Sequence, residues 1–315
     1  MIRIPLLLSI TVFRPIRVDN FPKGNRSKGI RMNRMSQLIG LSAFIVLVLG
    51  YGTLPSAYCQ QAVAPSMVPV SHKTLTPHPI DPALKMAYES LQHIRANVDD
   101  YHAIFVKRCR VDGVLPDLQY ANIKVRNRKV VDGKIAVPLS VYLKYLKPSD
   151  VRGREVVWIE TKNDGNIIVH ETGLKGMINV TLDPNGYLAM RNQRYPITEI
   201  GIENLVVKLI ETGTRDRQHG ECEVQFYQNS KIGETECTML EVLHPEKRDH
   251  FDFYRARVYF DKQLKMPIRY ESWSWPTKPG GQPVLEEEYT YLRVTTNTGM
   301  TDLDFDISNP AYDFR

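Results

Sequence analysis

The chain has 315 residues, of which 43% are hydrophobic and 24% charged, and its formal net charge is +6. Residues 1–59 contain eight of the 41 Lys and Arg residues but one of the 35 acidic residues, so the remainder carries a net charge of −1. Nucleic-acid binding requires a concentrated basic surface on the folded part of a protein. The charge distribution therefore excludes that class, and we expect no nucleic-acid partner.

An uncharged apolar stretch, residues 38–50, follows two arginines and precedes a group of small residues. Its length is typical of the core of a signal peptide and is short for a bilayer span. We predict a leader and signal peptide over residues 1–59, with the true start near Met32 or Met35. The protein is then exported to the periplasm or cell envelope. An uncleaved membrane anchor is the alternative; any other membrane contact is expected to be transient.

Export places the cysteines in an environment where disulfides persist. Cys222 and Cys237 lie in two alternating runs joined by QNSKIG. Equal distances from the centre of that turn would set them opposite each other, which predicts a cross-strand disulfide. We expect Cys109 to be a small buried hydrophobic residue.

Residues 60–80 contain four prolines and show little periodicity, which predicts a flexible linker. The segment 81–97 begins with Asp81 as a helix N-cap and Pro82 at the first helical position. Its apolar residues recur at helical spacing, at Leu84, Tyr88, Leu91 and Ile94. We predict an amphipathic helix of four turns.

Strand periodicity begins at Asp99, where apolar and polar residues alternate. Asn163, Asp164 and Gly165 separate two such runs and form a strong hairpin signal. A second helix is predicted to start after Thr198 as N-cap and to stop at Gly213. Further strands are predicted at 221–228, 235–244, 252–261, 265–275 and 284–296. Helices on one side of an antiparallel sheet make an α+β fold, expected here as a single domain over residues 81–315.

The order of these elements resembles the periplasmic lipoprotein carriers of the Lol type. The resemblance covers residues 84–312 and is carried by YHAIFVKRCRVDG, VYLKYLKP, NDGNIIVHETG and RVYFDKQLKMPIRYESW. It implies an α+β fold, a Lol-like antiparallel half-barrel of about ten strands with helices covering the concave face. The stretch GKIAVPLSVY lacks the arginine that latches the roof in Lol carriers, so their release mechanism is not implied.

A closer resemblance is carried by SVYLKYLKPSDVRGREVVWIE and RYPITEIGIENLV. These stretches are similar to an uncharacterised family of secreted proteins, found mainly in planctomycete-type bacteria and described only as a domain of unknown function. No biochemical role follows from that resemblance.

Clusters of polar residues favour no catalytic, metal or cofactor site. Asp302, Asp304 and Asp306 mimic a calcium loop, but Ile307 occupies the position where the loop needs glycine. A solvated turn with Leu303 and Phe305 packed inward is expected instead. His244 and His250 lack zinc-ligand spacing, and residues 286–288 are expected to form a charged strand edge. We therefore predict no catalytic residue, metal or cofactor.

The inward faces of the sheet and of the second helix suggest a ligand cavity, because a curved sheet and two short helices leave space unless large side chains fill it. Candidate lining residues are Phe105, Tyr142, Tyr145, Trp158, Ile168, Ile202, Leu205 and Leu209. An ordinary filled core is the alternative. The function expected from the cavity is non-catalytic binding of a lipid, a lipidated protein or another apolar ligand.

Two other functions remain open. The first is an envelope sensor or interaction protein that binds a protein partner. Its candidate contacts are Trp273 and Trp275, which share a strand face with Arg269 and Glu271 and are expected at the rim of the sheet. The second is an unrecognised hydrolase that uses Cys109 or a pair of acids.

Overall fold

Thirteen strands and three α-helices form the part of the chain described by the computed structural model, residues 77–173 and 178–314. The helices are α1 (Asp81–Asn97), α2 (Tyr187–Met190) and α3 (Ile202–Asp216). The strands are β1 (Asp100–Cys109), β2 (Gln119–Arg126), β3 (Lys129–Val131), β4 (Lys134–Val137), β5 (Ser140–Lys147), β6 (Glu155–Ile159), β7 (Ile167–His170), β8 (Asn179–Leu182), β9 (Glu223–Ile232), β10 (Thr235–Leu243), β11 (Arg255–Asp261), β12 (Pro267–Ser274) and β13 (Val284–Thr296). Turns of 3-10 helix occur at Asn163–Gly165, Ile197–Glu199 and Asp302–Phe305.

The start of the described part includes the end of the predicted linker. Ile80 is buried in the core, and its backbone N–H donates to Nδ1 of His78 at 3.1 Å. The folded unit therefore begins before Asp81. The predicted leader and signal peptide, residues 1–59, and most of the predicted linker lie outside the described residues.

Eleven strands form one open sheet in the order β8-β7-β6-β5-β2-β1-β13-β12-β11-β10-β9, and every neighbouring pair is antiparallel. The first and last long strands, β1 and β13, pair at its centre and join the two halves of the chain. β3 and β4 form a separate hairpin. The predicted α+β fold, an open antiparallel sheet of about ten strands with helices against one face, is confirmed.

Helix α1 is amphipathic as predicted, with Leu84, Ala87 and Ile94 buried, but Tyr88 of the predicted apolar stripe is exposed. Its N-cap is Ile80 rather than Asp81. The Asp81 carboxylate instead accepts the backbone N–H of His78 at 2.9 Å and pairs with Arg217, near the end of α3. This side chain therefore ties the first turn of α1 to the end of the other long helix.

Helix α3 differs from the prediction at both ends. Residues 197–199 form a 3-10 turn, so Gly201 and not Thr198 is the N-cap. Gly201 has φ +118°, a conformation that L side chains rarely adopt. The helix continues past Gly213 to Asp216, so Gly213 does not end it. Its lack of a side chain instead allows α1 to approach closely, since a Cβ there would lie 2.9 Å from Cδ2 of Leu84.

Apolar residues are buried on both faces of the sheet. On the inner face, α1 and α3 pack on residues from β1, β2, β5, β6 and β7, and the start of α1 packs on β10, β11 and β12. On the outer face, Phe305, Tyr312 and Phe314 of the C-terminal segment cover Tyr142 and Val157. The two helices therefore roof the inner face only.

Candidate ligand cavity

A cavity of about 890 Å³ lies between the inner face of the sheet and the two long helices. This volume is in the range of small-molecule binding sites, roughly 300–1,000 Å³. Its apolar lining comes from both halves of the sheet and from α1, and includes Ala83, Leu84, Leu143, Val156, Ile167, Val169, Leu240, Val242, Ala256, Val258 and Phe260. The space beneath α3 is therefore open, and the larger part of its walls is apolar.

Four of the eight side chains predicted to line a cavity do so: Phe105 and Tyr145 from the sheet, and Leu205 and Leu209 from α3. The ring of Phe105 packs against Tyr291, with the ring centroids 4.9 Å apart, and stacks parallel to Tyr289 at 6.2 Å. These aromatic contacts fix the floor of the cavity.

Trp158 and Ile202 belong to the same inner core but do not line the cavity. The indole Nε1–H of Trp158 donates to the carbonyl of Gly165 at 3.0 Å. The backbone N–H of Ile202 donates to the Tyr101 hydroxyl at 2.9 Å. Both residues are therefore held in the packed part of the core, beside the cavity.

Tyr142 and Ile168 lie on the outer face of the sheet, contrary to the prediction. Tyr142 stacks on Tyr312, with the ring centroids 4.0 Å apart, and Ile168 packs against the same outer cluster. Side chains alternate between the faces of a strand. Since Tyr145 faces the cavity, Tyr142, three residues earlier, must face away.

A segment without long regular structure, residues 183–201, completes the wall of the cavity and is called here the wall segment. Three of its residues contact the central strands. The Gln193 side chain accepts a hydrogen bond from the Lys107 ammonium, the Asn192 carbonyl accepts the Cys109 thiol at 3.7 Å, and Tyr195 donates to a carboxylate of β13. No pattern in the sequence predicts this wall, because its apolar residues follow neither strand nor helix periodicity.

The carboxylate that accepts the hydrogen bond from the Tyr195 hydroxyl belongs to Glu287, which is only 2% exposed. It also accepts the hydroxyls of Ser272 and Tyr289, both at 3.1 Å, and lies 3.6 Å from Nε of Arg194. Burial raises the pKa of Glu287, and Arg194 opposes part of that rise. Residues 286–288 are therefore no strand edge: β13 is central in the sheet, and Glu287 forms a polar end of the cavity.

The cavity lining also includes Asp216 and Asp252. Beside Asp216 lies His244, which is fully buried. The His250 ring stacks on His219, with the centroids 3.7 Å apart. Within the described ranges, no group of three or more potential ligand side chains is arranged to hold a metal ion.

All three cysteines in the described part are free thiols. Cys237 pairs with Ser230 across the β9–β10 hairpin, whereas Cys222 precedes β9, eight residues from Ser230. At about 3.3 Å per residue the two cysteines lie roughly 25 Å apart. The predicted disulfide is wrong because the turn is Gly233 and Glu234, not the centre of QNSKIG.

Trp273 and Trp275 are both half-buried. Trp273 lies on the outer face beneath two guanidinium groups, with Arg255 4.6 Å and Arg257 5.4 Å from its ring centre. The Trp275 Nε1–H donates to the carbonyl of His244 at 3.1 Å. Neither tryptophan lines the cavity, and Trp273 shares its surroundings with charged groups.

The three aspartates of the C-terminal turn have structural partners. Asp304 caps the 3-10 turn at Thr301 and pairs with Lys124 at 2.8 Å, and Asp302 pairs with Arg126 at 2.8 Å. The Asp306 carboxylate accepts the backbone N–H of Ser308 at 2.8 Å. Phe305 is buried as expected, but Leu303 is exposed.

In the residues described, no helix is long and apolar enough to span a membrane.

The model of one protein family, described as a protein of unknown function (DUF1571), matches residues 98–314. This match confirms the predicted resemblance to an uncharacterised family. No curated protein sequence matches the chain significantly.

Solved structures that match the chain include a putative outer membrane lipoprotein-sorting protein domain from Vibrio parahaemolyticus, at 12% identity and a TM-score of 0.35, covering 71% of this chain and 95% of that one. A LolA superfamily protein from Nitrosomonas europaea matches at 10% identity and a TM-score of 0.28, covering 71% and 97%. The Pseudomonas aeruginosa MucA/MucB complex matches at 14% identity and a TM-score of 0.36, covering 70% and 60%.

Proposed function

This chain belongs to the DUF1571 family, whose function is unknown, so its role has to be inferred from its own site. We propose that it is a non-catalytic protein of the cell envelope that binds a lipid, a lipidated protein or another apolar ligand in the cavity. The observation that carries the proposal is a cavity of about 890 Å³ whose walls are for the larger part apolar. An apolar cavity attracts few ordered waters and readily takes up apolar molecules.

The construction of the cavity supports a ligand site over a packing defect. Protein interiors are close-packed, and voids larger than a water molecule are few. Here the two central strands, both long helices and the wall segment all contribute to one space. The floor is fixed by aromatic contacts of Phe105 with Tyr289 and Tyr291, which keep the space from collapsing.

Export is the second part of the proposal. It rests on the apolar stretch at residues 38–50, whose length suits a signal peptide. An envelope location would expose the protein to lipids and lipoproteins, which are the ligands that the cavity suits. Fractionation of cells that produce the full chain tests this part, and recovery in the cytosol would contradict it.

Binding is tested with the purified full chain by titrating a fluorescent fatty-acid probe and by mass spectrometry of co-purified lipid. Ala256 lies on β11, is buried and lines the cavity, so Ala256→Phe should fill part of the space and weaken probe binding about tenfold. Ala136, exposed on the β4 hairpin, offers the matched control Ala136→Phe, which should bind like the wild type. Absence of saturable binding together with absence of co-purified lipid would refute the proposal.

A second candidate function, recognition of a protein partner, is favoured by Trp273. A half-buried tryptophan flanked by Arg255 and Arg257 has the composition of an interface hot spot. Affinity capture from envelope extracts with wild type and Trp273→Ser tests it. One stoichiometric protein that binds the wild type and is lost with the variant would favour this function over ligand binding.

A further inference from the structure

The cavity changes from apolar to charged toward one end, and it does so in the same direction on neighbouring strands. On β1 the inward positions run from Phe105 to Lys107, and on β13 they run in the same direction from Tyr291 through Tyr289 to Glu287. Consecutive inward positions are about 6.6 Å apart along a strand. The cavity wall thus has an apolar section and, one step further, a polar section.

The other half of the cavity wall repeats this change. The residue after Val156 on the same face and toward the same end is Arg154, and the corresponding residue after Val169 is Glu171. Arg154 and Glu171 pair with each other at 3.0 Å. The same end therefore receives charged side chains from four strands of the sheet or from their termini.

Most charges at this end are already neutralised by each other. Arg154 pairs with Glu171, and Arg194 lies 3.6 Å from the buried Glu287. Lys107 is different. Its ammonium bonds the neutral amide oxygen of Gln193, and no carboxylate of the described residues lies within ion-pair distance of it.

Lys107 is also half-buried, so water compensates its charge only in part. Other lining residues without an ion pair in the described ranges, such as Glu199, Lys208 and Glu211, are exposed and can be hydrated. Removing a charge from water is costly unless an opposite charge pairs with it. Lys107 is thus the cation whose surroundings favour an additional anion inside the cavity.

We propose that this polar end holds the acidic head group of an amphiphile, a carboxylate or phosphate on an alkyl chain, paired with Lys107. The chain would lie along Phe105 and the aliphatic walls. This inference rests on the proposed function, because it specifies the ligand class for the same cavity. A hydrogen bond from the Lys107 ammonium to the charged head group should make the anion bind about tenfold more tightly than a neutral analogue.

The test uses the full chain and three probes with the same alkyl chain: decanoate, decyl phosphate and decanol, each titrated against a bound fluorescent reporter. Wild type should bind at least one anionic probe about tenfold more tightly than decanol. Comparison of decanoate with decyl phosphate then distinguishes the two head groups. Lys107→Met keeps the apolar stem, and should bind the anions and decanol equally.

Two further variants exclude a folding effect. Lys107→Arg retains the charge and should retain the preference for the anion. Lys85→Met removes an exposed lysine of α1 that does not line the cavity, and should bind every probe like the wild type. Thermal melting of each variant reports whether it is folded.

The possible outcomes separate the two proposals. Equal binding of decanol and both anions to the wild type, or an unchanged preference in Lys107→Met, would overturn the head-group assignment and leave the apolar cavity as a binding site. If the wild type binds none of the three probes, the proposed function fails, and this inference fails with it.

Discussion

The Oδ2 atom of Asp216 lies 3.6 Å from Nε2 of His244, and both side chains are closed to solvent. Neither atom has a hydrogen-bond partner within the described residues. Nδ1 of His244 lies 3.1 Å from the carbonyl of Phe253, which can only accept, so Nδ1 carries the proton of the neutral ring. The facing Nε2 is then an acceptor, and the pair is compatible when Asp216 is protonated.

Burial acts on the two groups in opposite directions. It raises the pKa of Asp216 to about 6 and lowers the pKa of His244 to about 4. Between these values the folded pair therefore consists of a neutral carboxylic acid and a neutral imidazole. In the unfolded chain at pH 5 the carboxyl is ionised and the imidazole protonated, so both states bind one proton.

The contribution of this pair to the free energy of unfolding should therefore change little between pH 4 and 6. The Asp216 contribution falls as pH rises toward its folded pKa, because the folded state holds the proton more tightly. The His244 contribution rises with pH, because the unfolded state holds that proton more tightly. In the wild type the two contributions offset each other.

Single substitutions should reveal each contribution. For Asp216→Asn we expect stability to increase by about 3 kcal/mol from pH 4 to 6.5, and for His244→Gln to decrease by a similar amount from pH 4 to 6. Urea unfolding at four pH values measures both slopes. Parallel profiles of stability against pH for the wild type and the two variants would contradict the interpretation that Asp216 and His244 form a neutral pair with offsetting contributions.

The contact of Gly213 with Leu84 predicts a packing effect between the helices. A Cβ at Gly213 would lie 2.9 Å from Cδ2 of Leu84 and 3.6 Å from Cδ1 of Ile80. Gly213→Val should therefore separate α3 from α1 and reduce the free energy of unfolding by about 2 kcal/mol. Gly220 has open space around it, so Gly220→Val is the control and should change stability little. Equal losses in both variants would indicate a general effect of valine.

Local patterns predicted the elements of this fold well. The alternation of apolar residues located the long strands, and helical spacing located α1 and α3, because each signal lies within a few neighbouring residues. The start of α3 was misplaced because residues 197–199 form a 3-10 turn, a choice that propensity does not decide.

Relationships between distant segments could not be read in this way. The pairing of β1 with β13 buries Glu287 in the centre of the sheet, although its own neighbours in sequence are charged. The Asp216–His244 pair joins residues 28 positions apart, and the wall segment has no periodicity. The register of the β9–β10 hairpin could not be read from local patterns either, as the position of Cys222 shows. When the turn is placed a few residues from its true position, every residue of one strand is assigned the wrong partner on the other.

Trp273 and Trp275 should differ in their effect on stability. Trp273 contacts Arg255 and Arg257 in a half-exposed site, and Trp273→Ser should cost about 1 kcal/mol. Trp275 donates a hydrogen bond to the His244 carbonyl, so Trp275→Ser should cost about 2–3 kcal/mol, because the carbonyl also loses its donor. Trp275→Phe isolates the hydrogen bond and should cost about 1 kcal/mol. A larger loss from Trp273→Ser than from Trp275→Ser in urea unfolding would reverse this assignment.

Asp100 should control the docking of the C-terminal segment on the outer face. Its carboxylate accepts the backbone N–H groups of Thr298, Gly299 and Met300 at 2.7, 3.1 and 3.0 Å, and the Thr298 hydroxyl at 2.8 Å. Burial raises the pKa of Asp100, but these hydrogen bonds outweigh it, and the net pKa is lowered. The stabilisation is therefore present above the unfolded pKa of about 3.9 and is lost as pH falls through the lower folded value.

Removal of this carboxylate in Asp100→Ala should lower the free energy of unfolding by about 3 kcal/mol and increase amide hydrogen exchange over residues 298–314. The effect extends along the segment because its docking holds Tyr312 against Tyr142. Asp99 is the matched control: it is exposed and pairs with Lys129 at 2.6 Å, so Asp99→Ala should cost less than about 1 kcal/mol. Unchanged exchange of the C-terminal segment in Asp100→Ala would show that the apolar contacts of Phe305, Tyr312 and Phe314 hold it without the carboxylate.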